Sequence, residues 1–250
     1  MKKIIILLFI VFSILSCKND TEEIIQYDKE GNILSKNYIS NGKSLDSTIY
    51  LKNELVITKI IFNKDNKSEC YVKYYDNNGK LESEGNTINK IKIGKWKFYG
   101  SKTKEAKIVE FENICGEEYP NQEWNYDDKG KLNLDIRSYY TYKFKSPVFK
   151  SGGTNILTIN YTPMIKKGAI CIINFSNKID STFCNVDKIE KVAFRSSDSL
   201  TFTVPMMLDE IGKHNFRGYI EEHVFEEVKN SNLSNHKIRR VYINIPFEVK

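Results

Sequence analysis

Histidine is scarce in this chain of 250 residues, where His214, His223 and His236 are the only three and all lie beyond position 213. None belongs to a nucleophile motif such as Gly-x-Ser-x-Gly, so hydrolytic chemistry has no local signature here. No Cys-x-x-Cys pair or Cys/His spacing suggests zinc. Apolar runs are short as well. Crossing a bilayer takes about 20 consecutive apolar residues, and no segment after the N-terminus comes near that length. Charge of one sign is also missing: 38 Lys+Arg stand against 32 Asp+Glu, and without Lys2 and Lys3 the balance is 36 minus 32, or +4. The densest basic cluster, "HKIRR" at 236–240, reads as a solvated strand end, and nucleic acid is rejected as a partner. "KSGGTN" at 150–155 has two glycines but neither the Lys-Ser/Thr nor the helix of a phosphate-cradling loop, so it reads as a strand connector. Five prolines and 13 glycines are set against 15 tyrosines and 14 phenylalanines, with abundant Thr, Val and Ile, a composition that favours strands.

What the chain does have begins at its start. Lys2 and Lys3 precede an apolar stretch from Ile4 to Leu15 that is broken only by Ser13, the pattern of a secretory signal too short to span a membrane. The stretch ends in Ile14-Leu15-Ser16-Cys17 and turns at once into Lys18-Asn19-Asp20. This order resembles the bacterial lipobox. The resemblance implies a signal peptide at 1–16, cleavage before Cys17, lipidation of that cysteine, and a tether over 17–25. Each buried acyl methylene contributes about 0.8 kcal/mol, so several chains would hold the protein firmly to the membrane. Lys18 stands where an Asp would signal inner-membrane retention, and Glu22 and Glu23 follow, which resembles Bacteroidetes lipoproteins of the outer membrane, with the periplasmic and surface faces both open.

An internal repeat fills the next segment. "YDKEGNI" at 27, "YDNNGKL" at 75 and "YDDKGKL" at 126 share Tyr-Asp-x-x-Gly-x-aliphatic, with weaker half-copies from Tyr50 and Tyr99. Each unit predicts a hairpin, because Asp bonds its own backbone and Gly accepts positive φ. Such units need neighbours to bury a face. "IGKWKFYG", with Gly94, Trp96 and Tyr99, resembles the Gly-x-Trp-x-x-Tyr core of MORN-repeat variants, including antitoxin and immunity proteins of bacteria. That resemblance implies a meandering sheet over 26–136. Trp96 and Tyr99 are its candidate binding platform, cross-strand aromatic packing being the other reading.

From 138 to 250 short strands alternate with turns every 8–12 residues or so, which predicts a β-sandwich of immunoglobulin-like architecture by analogy. "AICIINFS" at 169–176 and "STFCNV" at 181–186 predict a hairpin that places Cys171 opposite Cys184, the candidate disulfide of an oxidising compartment. The alternative is two small buried hydrophobes. The pairing of Cys70 and Cys115 stays open. "EEHVFEE" puts Glu221, His223 and Glu227 on one face of a strand, a pattern that reads as a charged, solvent-facing edge. The expectation is therefore an all-β lipoprotein that is not an enzyme, uses no cofactor or metal, and binds a protein or glycan or scaffolds the envelope. An immunity lipoprotein that neutralises a toxin is the alternative, and an envelope hydrolase a third, less favoured one.

Overall fold

The three Tyr-Asp-x-x-Gly copies form one and the same turn. In each, one aspartate oxygen accepts two backbone N–H groups at 2.9 Å, from Glu30 and Asn32 at Asp28, from Asn78 and Lys80 at Asp76, and from Lys129 and Lys131 at Asp127. The glycines adopt left-handed backbone, with φ of +86° at Gly31, +75° at Gly79 and +80° at Gly130, which residues with a Cβ enter at a cost. Between these wide turns stand tight two-residue ones. Asn53-Glu54, Asn89-Lys90 and Cys115-Gly116 all have positive φ at both positions, the geometry that matches the twist of a hairpin.

A computed structural model describes residues 21–40, 44–63, 66, 68–100, 105–164, 170–195, 200–227 and 234–250. Cys17 and the lipobox lie outside them. No helix occurs among the described residues, and the chain is all-β. Two compact units divide between Lys80 and Leu81. The first is an antiparallel meander of β1 (Thr21–Tyr27), β2 (Ile33–Ser40), β3 (Ser44–Lys52), β4 (Leu55–Phe62) and β5 (Glu69–Tyr75), each paired with the next. Pairing already begins at Thr21 with Ser40, inside the stretch expected as a tether.

The second unit has an antiparallel meander of β6 (Leu81–Ile88), β7 (Ile91–Tyr99), β8 (Glu105–Ile114), β9 (Glu117–Tyr126) and β10 (Leu132–Phe144). β10 then pairs with β11 (Thr154–Thr162), and β11 with β14 (Thr201–Met207). A second antiparallel sheet runs in the order β13 (Val192–Arg195), β12 (Ile170–Phe175), β15 (Gly212–Glu227), β16 (Ser234–Val249). Alternation dictates the contact between the two sheets. Leu157, Ile159 and Tyr161 of β11 with Phe202 and Val204 of β14 meet Cys171, Ile173, Phe216, Ile220, Val241, Ile243 and Ile245 from the second sheet in one buried cluster.

Around Tyr242 β16 is buried on both faces. Behind it Tyr219 and Tyr242 pack with Ile179, Phe183 and Val186 from the connection between β12 and β13. Here the structure corrects the sequence expectation, for 181–186 is a run of turns and not a strand, and β12 pairs instead with β13 and β15. Asp180 decides this: its carboxylate accepts the N–H groups of Thr182 and Cys184, while Asn185 bonds back to Lys178 and Asp180. Local side-chain bonding of this kind outcompetes a ladder.

Candidate functional site

Of the two expected platform residues, Trp96 is packed inside the sheet and Tyr99 is half-buried. Trp96 on β7 is fully buried. Its indole lies against Gly85 of β6, where an added Cβ would come within 2.5 Å of the ring, and its Nε1 donates to the Asn86 carbonyl at 2.8 Å. Phe111 meets the ring edge-on with centroids 6.4 Å apart. Tyr99 donates its hydroxyl to Glu84 at 2.5 Å and is half-buried. A buried indole offers no face to a ligand, so cross-strand packing accounts for Trp96.

The cysteine pairing is corrected too. Cys184 is bridged to Cys115, with Cα atoms 4.9 Å apart, whereas Cys171 is a free, buried thiol opposite Glu222. The Cys115 N–H also donates to the Thr182 carbonyl at 3.0 Å, so the β8–β9 turn is tied twice to the connection covering β16. Burial, with Glu222 alongside, pushes the Cys171 thiol up to about 12, which leaves it protonated and inert at neutral pH. Burial raises the Cys70 thiol as well.

"KSGGTN" does act as a connector: the Ser151 N–H donates to Lys250, the Gly152 N–H to Leu208, and the Ser151 hydroxyl to the Asp209 carbonyl. His214 bonds the Glu210 carbonyl at 2.8 Å and stacks on Phe247. Among the described residues no group of three or more His, Cys, Asp or Glu side chains is arranged to hold a metal ion. Glu227 has its side chain outside the described ones.

The second unit keeps its strongest polar chemistry inside. Glu222 of β15, almost wholly buried, accepts from the Tyr161 hydroxyl at 2.8 Å and lies 3.9 Å from the Arg239 guanidinium. Arg239 also donates to Ser138 and to the Asn121 carbonyl. Burial first, then the Glu222 charge, pushes the Tyr161 phenol upward, so it stays a donor. Asn121, itself buried, accepts from the Tyr242 N–H at 2.7 Å and donates to its carbonyl at 2.8 Å, completing the edge of β16 as a strand residue would. These groups are hydrogen-bonded to one another and, apart from the partly exposed Arg239, buried, and they specify how β9, β11, β15 and β16 fit together.

Solvent-facing recognition chemistry is found in the first unit. Registers place Gln26, Ser35, Tyr50, Thr58 and Tyr74 in one row across five strands, and Ile24, Asn37, Thr48, Ile60 and Val72 in the next row on the same face. Ser35 donates to Gln26 and Thr48 to Asn37 across neighbouring strands, and Ser35, Thr48 and Val72 are themselves buried on this face. Tyr50, Tyr74 and Ile24 remain exposed on it, at 39%, 37% and 43%. The two tyrosines flank Thr58 on strands two apart, about 10 Å between backbones. The opposite face differs in character, with Lys36, Ile49, Lys59 and Lys73 in one row and Lys36 paired to Glu23 at 3.2 Å. β1 is the end strand, and no described strand pairs with its outer edge. Tyr74 escaped the sequence reading because it precedes the motif tyrosine; the alternation in "CYVKYY" is the signal that places it with Val72.

No protein-family model matches the chain, and comparison with curated proteins and with solved structures returns no match.

Proposed function

We propose that the protein is a lipoprotein anchored in the outer membrane through Cys17, acting as a non-catalytic binding or scaffolding module for a protein or glycan at the cell envelope. In this reading a MORN-like hairpin sheet is followed by an immunoglobulin-like sandwich. The recurring Asp-Gly turns support the first part, and the second is supported by the strand orders β10-β11-β14 and β13-β12-β15-β16 around one core. The carrying observation for binding is the exposed Tyr50, Tyr74 and Ile24 on one hydrogen-bonded sheet face. Flat amphipathic rings give contact area at low entropic cost, and the hydroxyls and amides of the same rows supply direction. Three residues lie between Cys17 and Thr21, at most about 14 Å of chain, so a lipid on Cys17 holds this sheet next to the membrane.

Chemical cross-linking in intact cells tests the reading. The full chain is expected to give one discrete adduct that disappears in the Tyr50→Ala/Tyr74→Ala double variant and survives Lys59→Ala on the opposite face. Cys17→Ser is expected to move the protein from the membrane to the soluble fraction. Persistence of the adduct in the double variant would place binding elsewhere, and continued membrane fractionation of Cys17→Ser would remove the anchor.

A further inference from the structure

In the first unit β2 pairs with one edge of β1, and no described strand pairs with the other. An open edge presents a row of N–H and C=O groups to any strand of matching length, and proteins ordinarily blunt it with lysine, proline or a bulge. "TEEIIQY" has neither lysine nor proline; only Glu22 and Glu23 at its start are charged, and Ile24-Ile25-Gln26 at its centre are not. Its side chains are exposed throughout apart from the half-buried Ile25, with Ile24 at 43% and Tyr27 at 59%. An edge of this composition invites a covering strand.

The lipid anchor proposed above is the premise for what covers it. In the anchored form only Cys17, Lys18, Asn19 and Asp20 precede β1, and a turn takes at least about two of them, so the chain's own start is too short to lie along the strand. Lipids on Cys17 confine every copy to one plane, which raises the concentration of the same edge on neighbouring copies. Two such edges pair antiparallel across a two-fold axis normal to the sheet. With Glu23 on the axis two carboxylates face each other, and with Ile25 on the axis Glu22 faces Asp28. With Ile24 on the axis the whole strand pairs: Thr21 faces Tyr27, Glu22 faces Gln26, Glu23 faces Ile25, and no acid meets another. The two Thr21 ends then lie about 20 Å apart along the strands, and tethers of about 14 Å bring both lipids to one bilayer surface.

We propose that β1 pairs along its outer edge with β1 of a second copy of this chain, antiparallel, with Ile24 on the two-fold axis. A contact of one strand pair is small, and confinement by the lipids supplies the concentration that sustains it. The two first-unit meanders become one sheet, and each Ile24 is covered by its own copy on the face that carries Tyr50 and Tyr74. Because the axis stands normal to the sheet, both copies turn that face the same way. A multivalent ligand at the envelope can then engage two such faces at once.

Cysteine cross-linking of the full chain in intact cells under a mild thiol oxidant tests the pairing, read as dimer on non-reducing gels. Facing Cα atoms of an antiparallel pair are about 4.5–5.5 Å apart, within disulfide range, whereas a residue two steps off the axis lies well beyond about 7 Å from its own copy. Ile24→Cys is expected to give a disulfide-linked dimer at least about fivefold above Glu22→Cys or Gln26→Cys expressed singly. Co-expression of Glu22→Cys with Gln26→Cys, which face each other, should restore the dimer, and it decides the matter if Ile24→Cys fails to accumulate. A disulfide from Ile24→Cys to a different polypeptide would assign the edge to a foreign strand and overturn the pairing, as would a dimer no stronger than the single Glu22→Cys and Gln26→Cys variants give. Membrane fractionation of Cys17→Ser reads the anchor separately: if that variant stays with the membrane while the cross-link forms, the anchor falls and the pairing stands.

Discussion

Glu112 of β8 has the most consequential carboxyl in the second unit. Burial, then the neighbouring Glu110 charge, pushes it from an ordinary value of 4.5 up to about 7. The folded protein thus holds this proton more tightly than the unfolded chain does. The group favours folding fully below about pH 4.5 and loses that contribution as the pH rises through about 7. Glu112→Gln, which mimics the protonated form, is expected to match the parent in urea unfolding at pH 4.5 and to exceed it by on the order of 2 kcal/mol at pH 8. Gly85 makes the complementary case. An alanine Cβ there enters the Trp96 ring at 2.5 Å, so Gly85→Ala should cost about 1–3 kcal/mol and shift Trp96 fluorescence to the red as the indole loosens. The Gly85 contact was not legible in the sequence, since nothing local says which strand faces Trp96.

At the level of elements, the Asp-Gly turns were fully legible. Their chemistry is confined to five residues, and each copy forms the same bonds whatever sheet surrounds it. Asp76→Ala removes the acceptor of two backbone N–H groups, and Asp76→Asn keeps an acceptor; alanine should therefore lower the thermal midpoint more than asparagine, with faster amide exchange at Asn78 and Lys80. The hairpin expected to join Cys171 to Cys184 fails for the same kind of reason. "IDSTFCNVD" contains Asp180 and Asn185 as well as apolar residues in alternation, and the side-chain turns win. Phe183 then takes φ +57°, its ring buried against Tyr242 and not extended along a strand. That signal was present in the Asp and Asn spacing, though alternation pointed the other way.

For the second unit as a whole, the Cys115–Cys184 bridge spans 69 residues and ties the last hairpins of the meander to the connection that covers β16. Reduction, or Cys115→Ser with Cys184→Ser, is expected to cost about 2–4 kcal/mol in denaturant unfolding. Alkylation of the unfolded, unreduced chain followed by peptide mapping should modify Cys70 and Cys171 and leave Cys115 and Cys184 blocked; the reverse pattern would restore the local hairpin bridge. The sequence by itself determined the strand content, the recurring turns and the apolar alternation of β11, β14 and β16, because these depend on torsional preference and on period-two burial within a few residues. Only the tertiary structure decided that Trp96 is core, that Cys184 meets Cys115, that Asn121 closes the edge of β16, and that Tyr50 and Tyr74 share an exposed face. Each of these depends on which distant strands become neighbours, and that is fixed by register and by the packing of one sheet on another, which no short stretch of chain encodes.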